Sequence, residues 1–240
     1  QTLVSISGGD RVFGHVLEIG SGFGYFLDSL APRFVKPENA IAVEYSEAAR
    51  DILRRKGYAT SGEDVRSSVY DRWRGQIEAI FMFQVLEHMD DLYGLLSRLS
   101  ELASRGADWF VAVPNSARIA FNEAHGSLLD MPPNHISCWT LDAFVALASR
   151  GGWRVVEHRS EPISWRRFLI RDLVYSHMRR AQQAGSIANR ARAMARGRVR
   201  TMAEASLAMA SAPTRLRTWS DAIRLRQSLG DSIWLRLIRN

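Results

Sequence analysis

The sequence predicts a doubly wound α/β fold, with a mostly parallel seven-stranded sheet and a helical insertion before the last strand. Three observations support this prediction. Apolar runs of strand length alternate with helical periodicity along residues 15–114. A glycine-rich turn directly follows the first of these runs. The run at 77–85 is apolar almost throughout, as is typical of a central parallel strand that is buried on both faces.

Each element has its own local signal. The strands are predicted from short apolar segments at 15–20, 41–45, 58–60, 77–85, 107–114, 153–158 and 232–238. The helices are predicted from apolar spacing and capping residues at 24–31, 46–56, 90–104 and 140–150. Residues 115–139 carry turn signals and predict a long irregular stretch, a feature that is usually functional inside a compact domain.

The segment before the last strand has no strand pattern and predicts several helices. The first helix is expected over 165–181, and Thr201 with Glu204 suggests a capping box that opens another. Leu216, Trp219 and Ile223 are the apolar positions of a further helix. The chain is therefore expected to have three parts: residues 1–164 as the main domain, 165–229 as the insertion, and 230–240 as the last strand.

Charge is concentrated in the insertion. The chain carries a net charge of +7, but residues 165–229 hold 14 Arg and 3 acidic residues, a net charge of +11. The other residues hold 18 basic and 22 acidic side chains, a net charge of −4. The high isoelectric point therefore describes the insertion and is no evidence for DNA binding by the whole protein.

Several interpretations of this basic insertion remain open. It could be a lid or a homodimer element with a solvated arginine face. It could make peripheral contact with an anionic membrane, with Trp165, Phe168 and Leu169 as the apolar contacts. It could bind an anionic acceptor, such as a phosphorylated or lipid-linked sugar, and arginine-rich helices also bind RNA.

The sequence predicts a cytoplasmic location. No run reaches the roughly 18 apolar residues of a membrane span. The first residues lack the basic and apolar regions of a signal peptide. Cys138 is the single cysteine, so an intrachain disulfide is excluded.

The glycine-rich turn indicates a ligand that lies against the backbone. It reads Glu18-Ile19-Gly20-Ser21-Gly22-Phe23-Gly24, directly after the first strand. A dinucleotide fingerprint would need Gly or Ala at the next position, which is Tyr25 here. Residues 16–32 also contain no Lys or Arg, although a pyrophosphate usually recruits positive charge. A sulfonium with an ammonium group fits this turn better.

Glu44 supports a nucleoside ligand. It ends the second strand, 20 residues after Gly24. A carboxylate offers only acceptors and can therefore take both hydroxyls of a ribose.

Several segments resemble the successive motifs of class I S-adenosylmethionine-dependent methyltransferases. These segments are VLEIGSGFG, AVEYSE, IEAIFMFQVLEHMDD and FVAVPN. The segment PPNHISCWTLDAFVALASRGGW is most similar to the ubiquinone-biosynthesis-type O-methyltransferase group. The resemblance covers about 15–160 and the last strand, and it implies a Rossmann-like fold with S-adenosyl-L-methionine as the cofactor. It also implies that Glu18, Gly20, Ser21, Gly22 and Gly24 face the methionine part.

The resemblance also assigns the nucleoside and the reactive end of the cofactor. Glu44 would hold the ribose, with Tyr45 beside the adenine. Asp64 would accept a hydrogen bond from the adenine amino group. Gln84 and Val85, at the end of the fourth strand, would lie near the sulfonium.

Two histidines are candidates for catalysis. His135 lies in the long loop that leaves the carboxyl edge of the sheet, where ligands bind in such folds, and it is the preferred general base. The alternative is a histidine that only holds the loop. His88 follows the fourth strand and is the second candidate, with a packing role as its alternative. His125 is a third.

A metal site is not expected. Some members of the resembled group place two acids and a histidine after the fourth strand. The corresponding residues here are Gln84, Glu87 and His88, so a neutral amide replaces one charged ligand. Cys138 is more simply explained as a buried thiol.

The sequence therefore predicts an S-adenosylmethionine-dependent methyltransferase that acts on a hydroxyl of a small molecule, sugar or glycan. One alternative is an N- or C-methyltransferase of natural-product biosynthesis. A second alternative, from a different class, is a non-catalytic nucleoside-binding scaffold subunit. Intact glycines and Glu44 argue against the loss of cofactor binding.

Overall fold

The computed structural model describes residues 2, 12–124, 128–194, 197–210 and 230–240. Within them, the strands are β1 (His15–Ile19), β2 (Ala40–Val43), β3 (Ala59–Ser61), β4 (Ile77–Phe83), β5 (Ala103–Pro114), β6 (Trp153–Ser160) and β7 (Ser232–Arg239). The helices are α1 (Tyr25–Leu30), α2 (Glu47–Arg55), α3 (Leu92–Leu102), α4 (Ser116–Ala124), α5 (Leu141–Arg150), α6 (Trp165–Gln182), α7 (Ile187–Ala193) and α8 (Arg198–Ala210).

The strands form one seven-stranded sheet in the order β3-β2-β1-β4-β5-β7-β6. The pairs β2–β3, β1–β2, β1–β4 and β4–β5 are all parallel. The order reverses between β1 and β4, so the carboxyl ends of these strands border the crevice in which doubly wound folds bind ligands. The predicted doubly wound fold with an insertion before the last strand is confirmed.

The sheet is held together by a dense apolar core. Val16, Ala79 and Phe81 on the central strands are completely buried. The rings of Phe81 and Phe110 stack with centroids 5.3 Å apart, and Trp234 packs 6.0 Å from Phe110. Burial of one such side chain stabilises a fold by about 1.5–3 kcal/mol. The nearly continuous apolar sequence of β4 therefore reflects burial on both faces, as predicted.

Capping side chains fix two of the helices that border the sheet. The Ser46 hydroxyl accepts a hydrogen bond from the Ala49 amide (3.4 Å) at the start of α2. The Thr140 hydroxyl accepts one from the Ala143 amide (3.2 Å) at the start of α5. Both caps agree with the sequence prediction, and each contributes about 1 kcal/mol to helix stability.

The boundary between α3 and β5 differs from the prediction. The expected helix over 90–104 ends at Leu102, and β5 begins at Ala103 rather than at residue 107. Ala103 pairs with Ile77, and the register shifts between Ile77 and Ala79. Pairing with β4 extends β5 in this region. This pairing is a tertiary contact, so the apolar pattern of the local sequence does not indicate it.

The chain forms two compact units. The first comprises Gln1–Val113, Ile136–Arg159 and Trp234–Asn240, and the second comprises Pro114–His135 and Ser160–Ile233. The predicted division at 164 and 230 stays a prediction, because the structure groups residues 114–135 with the insertion. No described helix has the length and apolar character that a membrane crossing requires.

The second unit contains helices α4, α6, α7 and α8. Phe168 is buried in it, packing against Phe121 with ring centroids 5.4 Å apart. Phe168 is therefore not available as an apolar membrane contact, and Leu169 packs partly buried in the same cluster. Trp165 remains exposed.

Two predictions for this unit are wrong. The stretch expected to be irregular contains helix α4, whose first turn is closed by the Asn115 side chain, which accepts from the Ala117 amide (3.0 Å). The capping box is absent, because α8 begins at Arg198 and the Thr201 hydroxyl donates to the Gly197 carbonyl (3.2 Å). The predicted helix containing Leu216, Trp219 and Ile223 lies outside the described residues, as does His125.

Candidate active site

The glycine-rich turn joins β1 to α1 in a conformation that favours glycine. Gly20, Gly22 and Gly24 have φ angles of 75°, 52° and 79°, in the left-handed region. A Cβ at Gly20 would collide with the Val85 side chain, whereas a Cβ at Gly22 would meet no atom within 4 Å. The Ser21 hydroxyl donates to the Glu18 carbonyl (2.9 Å). The turn thus leaves open space over Gly22, as a closely approaching ligand requires.

Glu44 lies at the end of β2, beside this turn. Its Oε2 accepts a hydrogen bond from the Gly22 amide (2.8 Å), and its Oε1 accepts one from the Ser46 amide (2.8 Å). A carboxylate has about four acceptor positions. Each oxygen of Glu44 therefore keeps capacity for one more donor, such as one hydroxyl of a ribose.

Glu18 is a buried acid at the end of β1, with 4% of its surface exposed. Its Oε2 has no hydrogen-bond partner among the described residues. Burial raises the pKa of this carboxyl to about 8, and the charges of Asp28 and Glu44 act in the same direction. Glu18 is thus held neutral near pH 7, and a nearby positive charge would ionise it.

An ion-paired network lies at the end of β3. Arg66 donates to both oxygens of Asp64, from Nε (2.8 Å) and Nη2 (2.8 Å). The hydroxyl of Tyr45 donates to Asp64 Oδ2 (3.2 Å), and Arg66 Nη2 also donates to Asp90 Oδ1 (2.9 Å). The Arg66 hydrogen bonds lower the pKa of the Asp64 carboxyl to about 2. Asp64 is therefore ionised across the physiological pH range.

The end of β4 supplies the opposite side of the site. Gln84 has a left-handed φ of 57°, which is uncommon outside glycine and concentrates at functional sites. The backbone amide of Gln84 donates to the Ala112 carbonyl on β5 (2.8 Å). His88 follows in a short 3₁₀ turn, Leu86–His88, with its side chain 49% exposed.

Several of these groups line one cavity of about 440 Å³ in the first unit, whereas Glu18, Ser21, Gly22 and Gly24 are not among its lining residues. Ligand pockets typically have volumes of about 300–1,000 Å³. The lining residues are Ile19, Gly20, Val43, Glu44, Tyr45, Asp64, Arg66, Gln84, Val85, His88, Met89 and Asp90. The structure thus brings together Gly20, Glu44, Tyr45, Asp64 and one of the two candidate histidines, as the sequence predicts for a nucleoside site.

His135 belongs to the second unit. Its Nδ1 lies 3.5 Å from Asp130 Oδ1, and Arg118 Nη2 lies 2.9 Å from the same oxygen. Both the Asp130 and His135 side chains are largely buried. A carboxylate beside a histidine is the usual arrangement for orienting a general base. The same contacts would also hold the loop in place, so both sequence interpretations stay open.

Gln84, Glu87 and His88 are the residues that the sequence analysis compares with a metal site. In the first unit, Glu87 and His88 lie close together. Glu87 is buried, and its Oε1 lies 4.0 Å from His88 Nε2. The Glu87 carbonyl accepts from the Ile136 and Ser137 amides (3.0 and 3.2 Å), which fixes the turn. The absence of a required metal remains a prediction. Cys138, expected to be buried, is exposed.

Sequence reasoning missed Arg66, Met89 and Asp90 as residues of the cavity. An arginine on an acidic turn and an aspartate before a helix usually indicate plain surface, so neither position carries a distinctive signal. Only the fold brings together the segments that follow β3 and β4, and so places Arg66 between Asp64 and Asp90.

The fold belongs to the doubly wound class, and its cavity lies at the carboxyl ends of the strands. A family model described as "Methyltransferase domain" matches residues 2–158. The chain therefore belongs to the methyltransferase-domain family, and the predicted S-adenosylmethionine-dependent methyltransferase is confirmed at the level of the class. A search of curated protein sequences finds no match.

Solved structures share the fold at low identity. One is a SAM-dependent methyltransferase from Archaeoglobus fulgidus, with 13% identity and a TM-score of 0.60, covering 100% of this chain and 91% of that one. Another, from Mesorhizobium loti, has 10% identity and a TM-score of 0.58, with 98% and 96% covered. The geranyl diphosphate C-methyltransferase of Streptomyces coelicolor has 11% identity and a TM-score of 0.59, with 100% and 77% covered.

Proposed function

We propose that the cavity at the carboxyl ends of β1, β2 and β4 binds S-adenosylmethionine, and that the chain transfers its methyl group to a hydroxyl of a small molecule, sugar or glycan. The observation that carries this proposal is the Glu44 carboxylate beside the left-handed glycine turn. Both of its oxygens are fixed by backbone amides, and each retains room for one further donor. This spacing of acceptors suits a ribose diol.

Glu18 supports a cofactor with positive charge near the glycine turn. A buried carboxyl with one oxygen that lacks a hydrogen-bond partner in the described chain destabilises the fold, and native proteins retain such groups mainly for function. The ammonium group of the methionine part would supply the missing charge. Lys56 reaches this turn, but its ammonium group is bound to Asp28 (2.6 Å) and to the Phe23 carbonyl (2.7 Å).

The chemistry requires positioning more than proton transfer. S-adenosylmethionine would supply a methyl group on a sulfonium: an aligned nucleophile bonds to the methyl carbon in line while the carbon–sulfur bond breaks, and neutral S-adenosylhomocysteine leaves. Gln84 and Val85, on the cavity wall, are proposed to border the reacting end. Alignment of two reactants can lower a barrier by about 7–11 kcal/mol, whereas a general base adds about 10²–10⁴-fold in rate.

A hydroxyl acceptor gains from a base, and His135 is the proposed one. Asp130, whose Oδ1 lies 3.5 Å from Nδ1, supports this assignment, because a nearby carboxylate stabilises the imidazolium that forms when the base takes a proton. His88 on the cavity wall is the second choice. The similarity to the ubiquinone-biosynthesis-type O-methyltransferases supports oxygen as the acceptor atom.

We propose that the arginine-rich insertion, residues 165–229, binds an anionic acceptor or a second copy of the chain. Its net charge of +11 contrasts with −4 for the rest. A positive surface concentrates anionic molecules and accelerates their binding.

The test is titration calorimetry with S-adenosylhomocysteine, the cofactor product. Glu44→Ala removes the acceptor for two ribose hydroxyls, and a hydrogen bond to a charged group contributes about 1.5–3 kcal/mol. The affinity should therefore fall at least tenfold. Glu47→Ala, an exposed acid three residues away on α2, is the matched control and should leave the affinity unchanged. An unaltered dissociation constant in Glu44→Ala would remove Glu44 from the site.

A further inference from the structure

The Asp64 carboxylate is fully occupied in the structure. Its Oδ1 accepts hydrogen bonds from the backbone amide and the Nε of Arg66, both at 2.8 Å. Its Oδ2 accepts from Arg66 Nη2 at 2.8 Å and from the Tyr45 hydroxyl at 3.2 Å. A carboxylate offers about four acceptor positions, so these donors fill them. An adenine amino group could bind Asp64 only by displacing one of them.

Arg66 is equally committed. Besides the two hydrogen bonds to Asp64, its Nη2 donates to Asp90 Oδ1 (2.9 Å) and its Nη1 donates to the Asp90 carbonyl (3.2 Å). Two parallel hydrogen bonds between a guanidinium and a carboxylate form one of the stronger polar contacts in proteins. A neutral amino group is a weaker donor than a guanidinium, so it would not displace Arg66 from Asp64, and displacing the Tyr45 hydroxyl (3.2 Å) would only exchange one neutral donor for another.

Asp90 has the capacity that Asp64 lacks. It lies on the wall of the same cavity, and its side chain is 77% exposed. Only Oδ1 is engaged by a side chain of the described residues, and Arg66 holds it in place. Oδ2 therefore remains open to a donor from a ligand.

The charge of this end of the cavity also suits a donor. Arg66 brings one positive charge among the carboxylates of Asp64, Asp90 and Asp91. The net negative charge attracts an amino group and disfavours a carbonyl oxygen in the same position.

We propose that Asp90, held by Arg66, accepts the hydrogen bond from the 6-amino group of the adenine and makes the site selective for that base. Asp64 is then a positioning residue that fixes Arg66 and Tyr45. This inference rests on the proposed binding of S-adenosylmethionine and replaces the sequence-based assignment of the amino group to Asp64.

The experiment compares two ligands by titration calorimetry, S-adenosylhomocysteine and its hypoxanthine analogue, which carries a 6-oxo group in place of the 6-amino group. The measured quantity is the ratio of their affinities. General damage to the site lowers both affinities and leaves this ratio unchanged, so the ratio separates recognition from structural support.

Asp90→Asn should lower the preference for S-adenosylhomocysteine at least tenfold, because the amide can turn its N–H₂ towards the 6-oxo group. Asp64→Asn should weaken both ligands by a similar factor and preserve the ratio. Asp51→Asn is the matched control, since Asp51 also pairs with an arginine but lies on α2, away from the cavity. The Asp51→Asn variant should bind S-adenosylhomocysteine and its hypoxanthine analogue with the affinities of the unaltered chain.

Arg66→Met provides an independent measurement. This change removes the two guanidinium hydrogen bonds and frees one acceptor position on each Asp64 oxygen, so the affinity ratio in the Arg66→Met background should become sensitive to Asp64→Asn. An unchanged ratio in Asp90→Asn would overturn the inference, as would a ratio that falls in Asp64→Asn alone. If the unaltered chain binds neither ligand, the proposed function itself fails, which is a distinct result.

Discussion

Glu18 couples the charge of the ligand to the protonation of the protein. Its pKa of about 8 in the ligand-free chain means that the carboxyl carries a proton at pH 7. A cationic ammonium nearby favours the ionised form. Binding at pH 7 should therefore release a proton, an effect that can be measured without knowing the methyl acceptor.

The prediction is a release approaching one proton per S-adenosylhomocysteine bound at pH 7. Calorimetry in two buffers of different ionisation enthalpy measures it. The release should vanish at pH 10, where Glu18 is already ionised, and should vanish at pH 7 in Glu18→Gln. Equal release by Glu18→Gln and the unaltered chain would show that another group loses the proton.

The same carboxyl affects stability. The folded-state pKa of Glu18 lies above the value of 4.5 for an unperturbed glutamate. Between pH 4.5 and 8 the unfolded chain has lost this proton and the folded chain retains it, so the free energy of unfolding falls as pH rises. A pKa difference of one corresponds to about 1.4 kcal/mol. Glu18→Gln should therefore be more stable than the unaltered chain at pH 9, by about 5 kcal/mol in denaturant titrations, and equally stable near pH 4.

His135 is the residue on which the chemical step is proposed to depend. If it is the general base, His135→Asn should lower kcat about 10²–10⁴-fold while the cofactor affinity stays unchanged. The rate of the unaltered chain should rise with pH, because only the neutral ring accepts a proton.

His158→Asn, an exposed histidine on β6, is the matched control and should keep full activity. The assay is methyl transfer to an acceptor found by screening hydroxyl-bearing small molecules. An active Asn variant with a flat profile from pH 5 to 8 would assign His135 to loop structure alone, and His88 would be tested next.

At the scale of elements, the turn between β1 and α1 is the part of the site that its sequence specifies most fully. Three left-handed glycines explain why few other sequences would form it. The residues that follow β3 and β4 are different, because their roles arise from tertiary neighbours. The Arg66–Asp64 pair is local in sequence, but Arg66 meets Asp90 only because the segments that follow β3 and β4 lie together in the fold.

The prediction at this scale concerns Gly22→Val. No atom lies within 4 Å of a Cβ at this position, so the side chain would fill the open space over the turn. A left-handed φ costs a branched residue about 1–2 kcal/mol, which a folded domain tolerates. Binding of S-adenosylhomocysteine should be lost while circular dichroism shows an intact fold.

Gly75→Val is the matched control for that change. Gly75 also has a left-handed φ, of 67°, with no atom within 4 Å, but its amide donates to the Glu101 carbonyl (2.9 Å), whereas the Gly22 amide donates to Glu44. The control should therefore show the same destabilisation with binding retained. Retained binding in Gly22→Val would place the ligand elsewhere.

Local sequence signals also explain which elements were predicted and which were not. The core strands were found because burial on both faces leaves an uninterrupted apolar run, as in β4. Helix α4 was missed because it opens directly after Pro114 with an Asn115 turn, and both residues favour loops. The prediction of a helix cap at Thr201 is wrong because α8 begins one turn earlier, at Arg198. Propensity alone does not choose between two possible starts.

At the scale of the whole molecule, the fold and the class of reaction follow from features spread along the chain. The order of strands, the glycine turn and Glu44 are recognisable separately and agree with one another. The acceptor does not follow in the same way, because its recognition depends on side chains outside these motifs. The separation of charge between the insertion and the rest supports an anionic acceptor, which a screen should include.

The most direct test of the central claim is a crystal structure of the full chain grown with S-adenosylhomocysteine. The ligand should occupy the cavity in the first unit, with its ribose hydroxyls about 2.5–3.0 Å from the two Glu44 oxygens, the distance of a hydroxyl–carboxylate hydrogen bond. Its ammonium group should lie towards Glu18. An ordered ligand at another place in the chain, or a ribose that does not contact Glu44, would contradict the account.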